Sequence, residues 1–352
     1  MCPWTLVGST LSMDDRAVEP SSDVSAQVPG GAAFSRRGML GLVGGGLLTV
    51  LAGGTVRAFL LERLRWGEDF FPGTPPDIVL EPGAWTTTSD SITFAVLGDN
   101  GSGGRNQMDV ARQMARTYQA TPYGLVLLAG DISYYGSIDD RWDEVFVEPY
   151  RPWINAGVEW ELAIGTHDLS EKKSDEAAAE IEAQLRRFGK PGTYYRARHG
   201  PMELFVLDSS IPLATGEGGT EQVAWLEAAL ASSNARWKVG LMHQPPYSSG
   251  HHGSHLEIRD VVQPLFARYG VDVAFTGHDH HYERTTAQDG VVWIVSGAGA
   301  KLTRVDGADF TAHAESTLQF MLIRIDGDIM DVRAITTDGT VIDQVTLRAR
   351  AG

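Results

Sequence analysis

Five short apolar runs in this chain each break off at a turn that carries an aspartate, a histidine or a tyrosine, and that recurrence is the strongest constraint on its fold. Residues 92–97 lead into Gly98-Asp99-Asn100-Gly101, and residues 125–129 into Gly130-Asp131-Ile132-Ser133-Tyr134. Residues 160–164 lead into Gly165-Thr166-His167-Asp168, residues 238–242 into His243, and residues 271–275 into Thr276-Gly277-His278-Asp279-His280. Short apolar runs bounded by turn residues are the pattern of buried strands. In an open α/β sheet, ligands bind outside the carboxyl ends of the strands. Carboxylate, imidazole and phenol converging there make the composition of a metal site.

A lone histidine is more often a surface or satisfied core residue than a ligand, so the clustering carries the argument. Eight of the ten histidines lie in these turns or shortly after His243; His199 and His313 are the other two. In order, the blocks read GDNG, GDISY, GTHD, MHQPP and GHDH. That order and spacing resemble the metallophosphoesterase superfamily, and within it the purple acid phosphatase (tartrate-resistant acid phosphatase) branch, in its small single-domain form. The pattern there is GDxG, GDxxY, GNH-D/E, an isolated strand-end His, and GHxH. Four of the five blocks match, and the likeness runs roughly from residue 90 to residue 340.

The resemblance implies an α/β fold, a four-layer α/β/β/α sandwich of two mixed sheets. It implies a binuclear centre of Fe(3+) and a second divalent metal, iron, zinc or manganese. The ferric ion would take Asp99, Asp131, Tyr134 and His280. Many relatives in the superfamily carry a His at the position of Gly101; in the acid phosphatase branch the tyrosine of GDxxY, here Tyr134, supplies the missing ligand. The second metal would share Asp131 and take Thr166, His243 and His278. His167 and His252 match the two outer-sphere histidines, the first holding phosphate and the second protonating the leaving group, and Asp168 is expected to orient His167. The main departure is Thr166, where the family has the Asn of GNH; a hydroxyl is a shorter and weaker neutral donor than an amide oxygen.

The expected activity is therefore an exported acid phosphatase acting on small phosphomonoesters. A phosphodiesterase or nucleotide hydrolase on the same scaffold is one alternative. A degenerate surface protein that binds metal without turnover, because of Thr166, is the other. The formal charge of −16 argues against binding a nucleic-acid backbone, which calls for clustered Lys and Arg. The only cysteine is Cys2, which excludes an intramolecular disulfide and a thiol metal site. No Gly-rich loop opens a helix after the first strand, which excludes a kinase or dehydrogenase.

Along the chain, residues 1–34 are rich in Ser, Pro, Gly and Ala without periodicity and read as disordered. Ser35-Arg36-Arg37-Gly38 before a Gly-broken apolar stretch, residues 35–60 in all, reads as a signal for the twin-arginine export machinery. It would place the protein in the periplasm, at the cell surface or outside the cell; an uncleaved N-terminal membrane anchor is the alternative. Residues 61–90, with four prolines between Glu68 and Thr88, read as an extended linker, and 91–349 as the metallophosphoesterase domain. Within it, βα alternation runs to about residue 275, with helices expected near 106–120, 138–147, 173–188, 220–232 and 257–268. Strands follow at 291–296, 318–325, 328–336 and 340–347.

Overall fold

Each of the five apolar runs becomes a strand covered on both faces, which is why none shows the strict alternation of a half-exposed sheet. The structure, a computed structural model, describes residues 73–134, 136–169, 174–213 and 217–350. In chain order the strands are β1 (Ser91–Leu97), β2 (Leu125–Leu128), β3 (Glu159–Leu162), β4 (Tyr195–His199), β5 (Met202–Val206), β6 (Trp237–Leu241) and β7 (Val273–Thr276). They continue as β8 (Tyr282–Thr285), β9 (Val292–Ser296), β10 (Thr311–Glu315), β11 (Gln319–Asp326), β12 (Ile329–Thr336) and β13 (Val341–Arg348). The helices are α1 (Arg105–Ala120), α2 (Ile138–Trp142), α3 (Glu148–Ala156), α4 (Ser174–Phe188), α5 (Glu217–Ser232) and α6 (Leu256–Tyr269).

Six strands form one sheet in the order β13-β12-β11-β1-β2-β3, and seven form the other, β10-β8-β9-β7-β6-β5-β4. Both are mixed: β1, β2 and β3 run parallel, as do β5, β6, β7 and β9, and antiparallel strands complete each sheet. Alternation along β1 separates the layers. Phe94 and Val96 point into the core between the sheets, where the Phe94 and Phe275 rings lie 6.3 Å apart. Ala95 and Leu97 point the other way, into a core shared with α1, Phe146 and Trp153. On the far side of the second sheet, Met242 and Ala274 pack with Leu226 and Leu230 of α5 and Val262 and Phe266 of α6. The result is the α/β/β/α sandwich.

Polar networks tie the sheets at both edges. Tyr282 and Arg284 of β8 bind Asp343 of β13, at 2.8 and 2.6 Å. At the opposite edge Glu161 of β3 accepts from Tyr195 of β4 at 2.8 Å and pairs with Lys190 and His199.

Three strands, β4, β8 and β10, lie outside the sequence expectation. The helix expected over 138–147 instead runs on to Ala156 through one π-helical turn, Asp143–Val147. Pro149 has no N–H to give the Val145 carbonyl, and the Gln107 side chain donates to that oxygen at 2.7 Å. Residues 73–90 hold no helix or strand, as a Pro-rich stretch should, yet they pack: Leu80 is buried in the helical core and the Tyr118 hydroxyl donates to the Glu81 carbonyl at 3.1 Å. The expectations for residues 1–72, disorder, export signal and most of the linker, lie outside the described residues. Among the described residues no helix is long and apolar enough to cross a membrane.

Candidate metal centre

The strand-end turns are tight enough to force unusual backbone. Asp99 (φ 57°), Asp131 (φ 55°) and His278 (φ 70°) all sit in the left-handed region, which costs a non-glycine residue about 1 kcal/mol or more. Glycines beside them make room for the side chains. A Cβ on Gly165 would lie 2.1 Å from Asp131 Oδ1, one on Gly277 2.4 Å from Asp99 Oδ2, and one on Gly130 2.5 Å from His243 Nδ1. Gly165→Ala is therefore expected to push the Asp131 carboxylate aside, destabilising the fold by about 1–3 kcal/mol and lowering metal content. Urea unfolding and elemental analysis check both, and an unchanged metal load would show that the turn relaxes.

The turns bring seven side chains together in two adjoining groups. In the first, the Tyr134 hydroxyl lies 3.1 Å from Asp99 Oδ1 and 3.3 Å from His280 Nε2, which is itself 3.4 Å from Asp99 Oδ1. In the second, His243 Nε2 lies 3.4 Å from Asp131 Oδ1, 3.4 Å from Thr166 Oγ1 and 3.2 Å from His278 Nδ1. Donor atoms of Asp99, Asp131 and His243 all fall within 4.8 Å of one another and link the groups. The oxygen donors come from turns after β1, β2 and β3 of the first sheet, and the nitrogen donors from turns after β6 and β7 of the second.

This geometry fits metal ions on three counts. Asp131 Oδ2 is buried and has no hydrogen-bond partner, the signature of a group awaiting something else. His243 Nδ1 is held 2.8 Å from the Ala129 carbonyl, which leaves Nε2 as the donor atom facing the cluster. Burial and the neighbouring imidazoles hold His278 far below the usual histidine range, so its lone pair is available at acidic pH. His243 moves the other way: burial pulls it down, but Asp131, Asp99, the Ala129 carbonyl and Asp168 together raise it.

The remaining expected residues lie at the rim. The His167 backbone N–H donates to Asp131 Oδ1 at 2.8 Å, and its ring stands 4.8 Å from that of Tyr134. Burial pushes His167 down to about 4, which keeps it neutral. The His252 ring lies 4.3 Å from that of His278, and burial lowers it as well. His255, after the same loop, stands 5.0 Å from His278. Gly101 is closed to any side chain, because a Cβ there would lie 2.1 Å from the Ile132 backbone; the Tyr134 hydroxyl lies beside Asp99 instead.

Asp168 is buried among backbone N–H groups. Its buried carboxylate accepts the N–H groups of Asp131 (3.1 Å), Ile132 (3.0 Å), Ser133 (3.2 Å) and Gly165 (2.8 Å), so it shapes the turn under Asp131. Burial and the adjacent Asp131 push it up to about 7. Two further residues escaped the sequence reading. Asp279 is fully buried and binds the loop that carries His252. Lys301 is buried with its ammonium 3.2 Å from the centre of the Tyr134 ring, at cation–π distance. Lys301 closes Gly297-Ala298-Gly299-Ala300, a Gly-rich turn after the apolar run of β9, so a signal for it existed.

Comparison with known proteins decides the family. The profile described as calcineurin-like phosphoesterase matches residues 92–282, more than half of the chain. The chain belongs to the calcineurin-like phosphoesterase family. Membership, with the buried Asp99–Asp131–His243 group, makes it a metal-dependent phosphoester hydrolase. Among its relatives, tartrate-resistant acid phosphatase type 5 of Rattus norvegicus is 26% identical over 246 residues, covering 61% of this chain and 74% of that protein. Purple acid phosphatase 17 of Arabidopsis thaliana is 27% identical over 242 residues, covering 61% and 70%. The solved purple acid phosphatase PPD1 from yellow lupin (Lupinus luteus) seeds shares this calcineurin-like fold with a TM-score of 0.65 at 19% identity, over 75% of this chain and 55% of that one. GAP50, the anchor in the inner membrane complex of Plasmodium, shares it at 0.62 and 16% identity, over 74% and 90%.

Proposed function

We propose that this phosphoesterase is an acid phosphatase that hydrolyses small phosphomonoesters at a binuclear Fe(III)–M(II) centre. The observation that carries this reading is the phenol of Tyr134 within 3.1 Å of Asp99 Oδ1 and 3.3 Å of His280 Nε2. A phenolate is a hard, anionic donor that suits a trivalent ion. Asp99, Asp131, Tyr134 and His280 would hold iron; Asp131, Thr166, His243 and His278 would hold the divalent ion. Bound there, two cations supply charge neutralisation for phosphoryl oxygens and an acidified water. The chain's own groups do the rest. Neutral His167 beside Asp131 holds a phosphoryl oxygen through a ring N–H, and His252 at the exposed rim gives its proton to the departing alkoxide. The twin arginines at Arg36-Arg37 support export of the folded, loaded protein.

Thr166 favours a second reading, a protein that holds one metal and does not turn over. Its hydroxyl nonetheless lies 3.4 Å from His243 Nε2, which supports a working site. Elemental analysis of residues 67–352, purified without chelator, tests the reading. Iron and a second metal near one each per chain, with faster cleavage of monoesters than diesters, are the expected result. Iron alone, with zinc and manganese offered, together with a large gain in activity for Thr166→Asn, would establish the second reading instead.

A further inference from the structure

The loop that carries His252, residues 248–253, contains no helix or strand of its own, and its backbone is fixed from below. Asp279, between His278 and His280, is fully buried and faces it. Its Oδ1 accepts the His252 backbone N–H at 2.8 Å; its Oδ2 accepts the Gly253 N–H at 3.1 Å and the Ser248 hydroxyl at 2.5 Å. The Ser248 oxygen then accepts the Gly250 N–H at 3.0 Å. A second buried carboxylate, Glu283, accepts the Ser249 N–H at 2.7 Å and its hydroxyl at 2.8 Å. The loop lies so close that a Cβ on Gly250 would stand 2.2 Å from His281 Cε1 and 2.8 Å from Asp279 Cγ.

A buried carboxylate that accepts from three donors is a strong hydrogen-bonding arrangement. Burying one is costly unless it is satisfied, and here loop groups provide that satisfaction. The arrangement is also economical in geometry. The residues on either side of Asp279 are the paired histidines of the centre, so whatever fixes His278 and His280 fixes Asp279, and through it the loop. His252 thereby inherits its position over the His278 ring from the same turn.

We propose that Asp279 is the positioning residue for His252, holding the proton donor in register with the metal-facing histidines. The proposal rests on the phosphatase reading above and assigns Asp279 no contact with substrate. The test is a double-mutant cycle on the metal-loaded protein, with an alkyl phosphate (poor leaving group) and a p-nitrophenyl phosphate (good leaving group). Asp279→Ala should lower kcat for the alkyl ester on the order of 10- to 100-fold, approaching the loss in His252→Ala, and change the aryl ester far less. In the His252→Ala background the further loss from Asp279→Ala should vanish, because both changes remove one function. Metal content should stay at the wild-type value. Ser248→Ala, which removes one donor and keeps the carboxylate, should shift the leaving-group dependence in the same direction by less, and serves if Asp279→Ala does not fold. Additive losses, or equal losses on both esters, would overturn the positioning role and leave the phosphatase intact. A His252→Ala enzyme with no leaving-group dependence would overturn the proton-donor reading itself, and the proposal with it.

Discussion

Asp131→Ala is expected to lose activity by on the order of 10³-fold or more and to shed at least one metal equivalent. No other carboxylate sits so centrally. Its Oδ1 is 3.4 Å from His243 Nε2 and receives the His167 backbone N–H, while its Oδ2 is buried with no protein partner. Together with Asp99 and His243 it forms the group whose donor atoms lie within 4.8 Å. Removing it takes away the carboxylate that links the two groups and frees the backbone that presents His167. Single-turnover assays and elemental analysis on the same preparation measure the two losses. A variant that kept both metals and wild-type turnover would show that Asp131 is structural and that the donor assignment is wrong.

Removing the metals is expected to lower the melting temperature by on the order of 10 °C at neutral pH. A ligand present at about a thousand times its dissociation constant stabilises a fold by about 4 kcal/mol, and a domain this large shifts about 2–4 °C per kcal/mol. The metal-free centre is poorly suited to stand alone: Asp99 and Asp131 lie side by side and fully buried, over a third carboxylate, Asp168, pushed up to about 7. The sign follows from that rise. A carboxyl whose folded value lies above its unfolded one adds stability below about pH 4 and loses it as pH rises through 7. The metal-free protein should therefore fall further behind the loaded one between pH 5 and 7.5. Melting curves with and without chelator at both values decide it; a gap that narrowed with pH would contradict the account.

The parts of this molecule that were legible in its sequence share one property: the signal is local. Strands β1, β2, β6 and β7 are continuous apolar runs, and the turn after each announces itself with glycine or histidine. Strands β4 (YRARH), β8 (YERT) and β10 (TAHAE) are short and polar, and pairing with their neighbours rather than composition makes them strands. The helix through Pro149 and Pro152 was unreadable because the Gln107 amide, distant in sequence, replaces a missing backbone donor. Asp168 and Asp279 were visible as acids beside histidines, but sequence does not say which N–H groups a buried carboxylate will collect. Asp168 collects the turn beneath Asp131, and Asp279 collects a loop about 30 residues earlier in the chain.

The division of donors between the two sheets has a consequence for biosynthesis. Asp99, Asp131, Tyr134 and Thr166 leave the ribosome first, and a nascent chain carrying only these offers hard oxygen atoms, suited to magnesium, calcium or manganese. The imidazoles of His243, His278 and His280 emerge later. β1 still lacks one of its two neighbours until β11 has been made. The oxygen-bearing and nitrogen-bearing turns thus meet only after strands of both sheets have been made, so no cation could select the full proposed donor set before then.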